Sequence, residues 1–334
     1  MKTLALQDLY NLAVNVLVAS DTSRENAACV ADALVSAEAD GLVSHGACRL
    51  PFYADQALSG KVAGQIRPHM TKHAHAAIRV DARDGFAYPA IRLGMDEALA
   101  LVREMGVVAV AVANSHHFGA AGYHVERPAR EGVIALAFGN APAAMAPWGG
   151  STALFGTNPI AFACPRVGAD PLIIDLSLSK AARGKVLLAA QKGEPIPGDW
   201  ALDVDGKPTT DAGAAMAGTM LPAGEVKGAA LAMMVELMAA ALTGSNFSFQ
   251  ASSFFTSTGG PARVGQFFLL LDPCAFGGDG FARRAETLFE AVLAQPGTRL
   301  PGDRRLEERK RAQKNGIALP MKLYEDLVGR CRCQ

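Results

Sequence analysis

This 334-residue chain has no long hydrophobic run, no excess charge of either sign and no paired cysteines. Lysine and arginine total 32, as do aspartate and glutamate. That balance leaves no basic field for nucleic acid and no polybasic patch for a membrane surface. No apolar stretch approaches the roughly 20 residues that a membrane span requires. The Leu/Ala/Val-rich run after Lys2 resembles a secretory leader at a glance, but Gln7, Asp8, Asn11 and Asn15 interrupt it at helical spacing. Residues 3 to 19 therefore read as an amphipathic helix, and the chain as a cytoplasmic protein. The six cysteines (Cys29, Cys48, Cys164, Cys274, Cys331 and Cys333) are scattered without a C-x-x-C pair. They read as reduced thiols, with Cys331 and Cys333 exposed in the tail, and no zinc site is expected.

Several fingerprints are missing as well. There is no G-x-G-x-x-G after a strand and no G-x-x-x-x-G-K-[ST], and Gly277-Gly278-Asp279-Gly280 lacks the spacing. A nucleotide, if bound, is not held by the usual Rossmann loop. Without H-E-x-x-H or G-x-S-x-G, metalloprotease and hydrolase readings have no support.

What is present is apolar and small. Half of the residues are hydrophobic and 34 are glycine, which suits a large core divided between two lobes, with tight loops. Thr22-Ser23-Arg24-Glu25 has capping-box spacing before an alanine-rich helix that stops at Asp40-Gly41. Pro51 predicts a kink or break soon after Arg49. A short strand is expected at 78–81, a helix at 90–105, and buried strands at 106–112, 132–138, 171–175 and 266–272, each running into a polar loop. Residues 228–243 read as one uninterrupted apolar helix, destined for a lobe centre or a subunit interface. Residues 279–294 and 301–330 read as a charged helical tail.

The chemistry concentrates in Asp40-Gly41-Leu42-Val43-Ser44-His45-Gly46-Ala47-Cys48-Arg49. If a helix restarts near Ser44, that serine is its N-cap and His45 and Arg49 share a face. An arginine that holds an acid beside a histidine that moves a proton is what a small-carboxylate site needs. The same spacing also describes a capping serine, a helix-turn histidine and a solvated arginine. The adjacent His116 and His117 suggest a metal only weakly, since neighbours at a strand end point apart, and no metal is expected.

Four stretches together resemble the malate/L-lactate dehydrogenase-like oxidoreductases. They are Asp40 to Arg49, Asn114-Ser115-His116-His117-Phe118-Gly119, Phe155-Gly156-Thr157-Asn158-Pro159 and Pro301-Gly302-Asp303-Arg304-Arg305. Within that family, Leu154 to Ala163, Val204 to Asp211 and Met233 to Gly244 look most like the branch reducing cyclic imino acids. The resemblance implies an α/β fold that is not a Rossmann fold. It has a largely antiparallel central sheet, and helices from both chain ends pack together. It divides the chain into a helical region of 1–75 packed with a 295–334 tail, and a cofactor-binding α/β domain of 76–294. It also implies a homodimer.

By the same resemblance His45 is the proton donor and Ser44 its relay partner. Arg49, Thr157, Arg183 and Gly184 are substrate contacts. The cofactor, NADPH with NADH as the alternative, is matched to His117, Phe118, Gly119, Ala120, Ala121, Asp175, Leu176, Ser177, Lys227 and Gly228. The loop Pro301, Gly302, Asp303, Arg304, Arg305, Leu306 and Glu307 completes that set. Two departures stand out. Lys185 occupies the place of an aspartate relay partner, where a cation lowers the proton affinity of His45, and Val226 replaces a frequent histidine. The leading expectation is reduction of Δ1-pyrroline-2-carboxylate and Δ1-piperideine-2-carboxylate. The alternatives are a 2-hydroxy-acid dehydrogenase, which Lys185 favours, and a protein that binds the cofactor without turnover.

Overall fold

The short apolar runs assemble into one seven-stranded sheet in the computed structural model, which describes residues 1–331. The chain begins with β1 (Lys2–Leu4), α1 (Leu6–Val18), α2 (Arg24–Ala39), α3 (Leu50–Leu58), β2 (His69–Ala74), β3 (Ala77–Asp81), α4 (Ala87–Met105) and β4 (Val107–Ser115). It continues with α5 (Ala121–Arg130), β5 (Ile134–Gly139), β6 (Ile160–Cys164), β7 (Leu172–Leu176), α6 (Arg183–Lys192), β8 (Ala201–Leu202), α7 (Ala212–Ala217), β9 (Thr219–Met220) and α8 (Val226–Val235). After β10 (Val264–Leu271) come α9 (Cys274–Gly277), α10 (Phe281–Leu293), α11 (Asp303–Asn315), β11 (Ile317–Leu319) and α12 (Met321–Cys331).

The central sheet runs β2-β3-β4-β10-β5-β6-β7. Only β3 and β4 pair parallel, so the sheet is largely antiparallel, as expected. Its inner strands β4, β5 and β10 are apolar on both faces because both faces are covered there. Val108, Val110 and Val112 of β4 pack with α4 and α5, while Ala109 and Ala111 face the cluster around Met145, Val186 and Ala232. A separate cluster joins α1, α2 and α3 to Ile317, Leu319 and Leu327, and β1 pairs with β11. The chain ends thus pack together. The expected division after residue 75 falls inside the β2–β3 hairpin, so β2 belongs to the sheet.

Several local expectations are corrected. The first helix starts at Leu6 because residues 2–4 pair as a strand. Ser23, not Thr22, caps α2, its hydroxyl accepting the Asn26 N–H at 3.2 Å. Pro51 opens α3 rather than breaking a helix, since its missing N–H costs nothing in the first turn. The apolar helix at 228–243 is interrupted by a π-helical segment, Glu236–Ala241. The tail helices are separated by a strand, not continuous. Cys331 is half-buried against the chain-end cluster, and Cys333 lies outside the described residues.

Candidate active site

Gly41, at φ +73°, ends α2, and two 3-10 turns follow, Val43–His45 and Ala47–Arg49. Ser44 therefore lies inside a turn rather than at an N-cap, and His45 and Arg49 do not share a helix face. Gly46 is the cause. A side chain there has no room against the Glu38 carboxylate, which accepts the Ala47 N–H at 2.7 Å and pins the break. Both side chains still reach one cavity of about 780 Å³.

Ser44, His45, Arg49, His117, Gly119, Ala120, Ala121, Thr157, Asp175, Ser177, Arg183, Gly184 and Arg305 line that cavity. The Ser44 hydroxyl lies 3.0 Å from His45 Nδ1. Burial, and then the Arg49 guanidinium, push His45 down to about 3, so the site holds a neutral imidazole. The His117 ring stacks on His45 with centroids 5.7 Å apart and is held well below its usual range, first by burial. Arg49 Nε donates to Ser44 O at 2.7 Å, and its guanidinium carbon sits 4.7 Å from the centre of the Phe255 ring. Its Nη1 is buried and has no partner among the described residues. An unpaired guanidinium nitrogen in a desolvated wall can take a carboxylate through a charge-assisted hydrogen bond.

Gly184 lets the start of α6 approach Ser44 closely, since a Cβ there meets Ser44 Cβ at 3.2 Å. Arg183, next to it, makes only long contacts, 3.3 Å to Ala143 O and 3.5 Å to Met216 O. The N-termini of α5 and α6 both open on the cavity, through Ala120–Ala121 and Ala182–Gly184. Asp175 accepts the Gly122 N–H at 2.8 Å and lies 3.4 Å from Arg305, while burial raises its pKa. The small residues at 119–121, a helix N-terminus and Arg305 fit a dinucleotide and its phosphates.

The other expected cofactor residues are not brought to this cavity. Phe118 is core, stacked on His124, and Leu176 is exposed. Lys227 points outward on α8, and Gly228 packs against Ala223 O. Pro301 and Arg304 are exposed, Leu306 is half-buried outside the cavity, and Gly302 at φ +93° caps α11. Asp303, Arg304 and Glu307 line a separate charged depression with Arg299, Glu308 and Arg311. Lys185 is exposed and is not among the charges acting on His45, so Arg49, not Lys185, is the cation that depresses it. Val226 is exposed too.

Sequence reasoning missed the facing wall, made by Ala141–Ala144 and by Ser248, Phe249, Ala251, Ser253, Phe254 and Phe255. The available signal was four phenylalanines, Phe247, Phe249, Phe254 and Phe255, within one short polar segment. Two buried residues, Gln56 of α3 and Lys61 just after it, hold that wall. Lys61 Nζ donates to Ser253 O, Thr256 O and Thr258 O at 2.6, 3.0 and 3.0 Å, and Gln56 Nε2 donates to Phe254 O at 2.8 Å.

The fold and this site define an oxidoreductase of the malate/L-lactate dehydrogenase family, to which the chain belongs, the family model matching residues 4–328. A (2R)-3-sulfolactate dehydrogenase (NADP(+)) of Chromohalobacter salexigens is 55% identical over 326 residues, covering 98% of this chain and 97% of that one. A Δ1-pyrroline-2-carboxylate reductase of Ancylobacter novellus is 40% identical over 97% of this chain and 96% of its own. The crystal structure of Δ1-piperideine-2-carboxylate reductase from Pseudomonas syringae superposes with a TM-score of 0.94 at 39% identity, covering 99% of this chain and 100% of that one.

Proposed function

We propose that this protein is an NADPH-dependent 2-hydroxy-acid dehydrogenase, working reversibly on the 2-oxo acid, whose substrate carries a second anionic group. One observation carries this reading: Arg49 and Arg183 both line the cavity, and neither has a carboxylate partner among the described residues. Two unneutralised guanidiniums suit a dianion better than a monocarboxylate. The relative at 55% identity is named for such a dianion, 3-sulfolactate. The aspartate expected of the imino-acid branch is absent at Lys185.

The bound nicotinamide supplies the hydride chemistry. Arg49 clamps the carboxylate, and Arg183 takes the sulfonate or second carboxylate, which leaves C2 between them. Neutral His45 accepts the hydroxyl proton during oxidation and returns it to the C2 oxygen during reduction, with Ser44 holding the ring. Phe254 and Phe255 exclude water from that carbon.

Cyclic-imine reduction is the second reading, supported by the relatives named for it at 36–42% identity. Oxidation of NADPH and of NADH with 3-sulfopyruvate, oxaloacetate, pyruvate and the two cyclic imines decides. Preference for the dianions over pyruvate is expected, and turnover of the imines alone would reverse the order.

We also propose a second copy of the chain as partner. Val226, Leu231, Met233, Met234, Leu237 and Leu242 leave an apolar face of the α8 region exposed, larger than a solitary surface residue explains. Light scattering on wild type and Leu237→Glu tests this, with a mass of one chain, 34.8 kDa, in wild type refuting it. All five described cysteines are free, which supports a cytoplasmic location. No helix among the described residues is long and apolar enough to cross a membrane.

A further inference from the structure

Two buried phenols stand behind His117 with no part in the chemistry so far. Tyr53 OH lies 2.6 Å from His117 Nδ1 and 3.1 Å from Tyr88 OH. Tyr53 is fully buried and Tyr88 nearly so. Tyr88 OH has no other hydrogen-bond partner among the described residues, and it abuts Gly119, whose hypothetical Cβ meets it at 2.6 Å. On the other side of the ring, His117 Nε2 carries no partner among the described residues, and His117 forms part of the cavity wall.

Counting hydrogens sets the direction of this chain. Each neutral phenol has one hydrogen to give. If Tyr88 donates to Tyr53, then Tyr53 donates to His117 Nδ1, and both buried phenol hydrogens are satisfied. In the opposite order His117 Nδ1–H donates to Tyr53, Tyr53 donates to Tyr88, and the Tyr88 hydrogen is left buried without an acceptor. Burial raises Tyr53 to about 12 and Tyr88 well above its usual value, so both phenols keep their hydrogens.

We propose that Tyr53, backed by Tyr88, is a positioning residue that holds His117 as the Nε2–H tautomer, so that the cavity offers a fixed N–H donor to the oxygen on C2 of the substrate. His45 and His117 then divide the work on one oxygen: His45 takes or returns its proton, and His117 polarises it. A carbonyl oxygen accepts from such a donor, whereas a protonated cyclic imine presents an N–H and meets it badly. The role at C2 rests on the dehydrogenase reading, but the tautomer does not.

Multiple-bond 1H–15N spectra of the full-length protein labelled with 15N-histidine read the tautomer directly, with His117→Gln used to assign its signals. Wild type should show an unprotonated Nδ1 and a protonated Nε2 at His117. A protonated Nδ1 overturns the inference without touching the substrate class, and failure of the dianion panel does the reverse. Tyr53→Phe keeps the volume and should give a mixed tautomer. Its kcat should fall about tenfold, with KM for the 2-oxo acid within about twofold of wild type. Tyr88→Phe leaves Nδ1 as the only acceptor for the buried Tyr53 hydrogen and should keep the wild-type tautomer, so a protonated Nδ1 in that variant would refute the hydrogen count. Wild-type tautomer and kcat in Tyr53→Phe would refute the role, and the wild-type spectrum decides even if neither variant folds.

Discussion

Replacing Arg49 by alanine removes the group that the structure has prepared most completely for a ligand. Its Nε is committed to Ser44 O at 2.7 Å, its face lies on Phe255, and its Nη1 is buried without a partner. The fork is therefore oriented before substrate arrives, and little side-chain entropy remains to be lost on binding. Each hydrogen bond to a charged group contributes about 1.5–3 kcal/mol, so losing a bidentate pair should cost on the order of 3 kcal/mol. That is about a hundredfold in kcat/KM for the 2-oxo acid. Arg49→Lys should recover little, because an ammonium reproduces neither the fork nor the stacking on Phe255. His45→Ala should differ in kind, lowering kcat with a smaller change in KM, since proton transfer acts in the transition state. Initial rates of NADPH oxidation across a substrate series measure all three, with thermal melts to confirm that the variants are folded. If Arg49→Ala leaves KM within about twofold of wild type, the carboxylate is bound elsewhere, and the site built on residues 44–49 has to be withdrawn.

Acid sensitivity follows from the buried histidines, with His45 and His116 near 3, His124 near 4 and His117 well below 6.5. The unfolded chain binds these protons at about pH 6.5 and the folded one does not, so stability falls as pH drops below that value, by up to about 1.4 kcal/mol per histidine per pH unit. A Tm that is unchanged between about pH 7 and about pH 5 would refute this. Lys61→Met should cost about 3 kcal/mol of stability by stranding three carbonyls. It should also speed amide exchange across residues 253–258, and unchanged exchange there would contradict the clamp. Gly119→Ala meets both a φ of +70° and the Tyr88 hydroxyl, which should destabilise by about 2 kcal/mol. Adding Tyr88→Phe should restore part of that loss, and no restoration would mean that the hydroxyl is not the obstacle.

Much of this was legible because periodicity and chemistry are local. The strands around β4, β5 and β10 announce themselves as unbroken apolar runs, which only a sheet covered on both faces makes stable. Ser44, His45 and Arg49 are legible because those residue types so close together have few structural uses. The manner of their convergence was not legible. The spacing suits an α-helix from Ser44, but the carboxylate of Glu38, a residue of the preceding helix, occupies the space beside Gly46. The opposite wall is set by Lys61 and Gln56 reaching nearly two hundred residues along the chain, a contact that no spacing encodes.

The adjacent arginines of α11 show the limit most clearly. Arg304 and Arg305 are equivalent in composition, charge and motif, yet one helical step rotates a side chain by about 100°. Arg305 turns inward, its side chain only 9% exposed, and meets Asp175 and Asp40, while Arg304 faces solvent. Their phase is decided by Asp40, which pairs with Arg309 at 2.6 Å, and by Glu126, which pairs with the same arginine at 2.6 Å. That buried network locks the rotation of α11 against α2 and α5, and in doing so selects which arginine reaches the cavity. Asp40 opens the segment that carries Ser44, His45 and Arg49, and Asp175 caps the helix that follows His117. The same ion pairs that fix the tail therefore also hold together the two halves of the site.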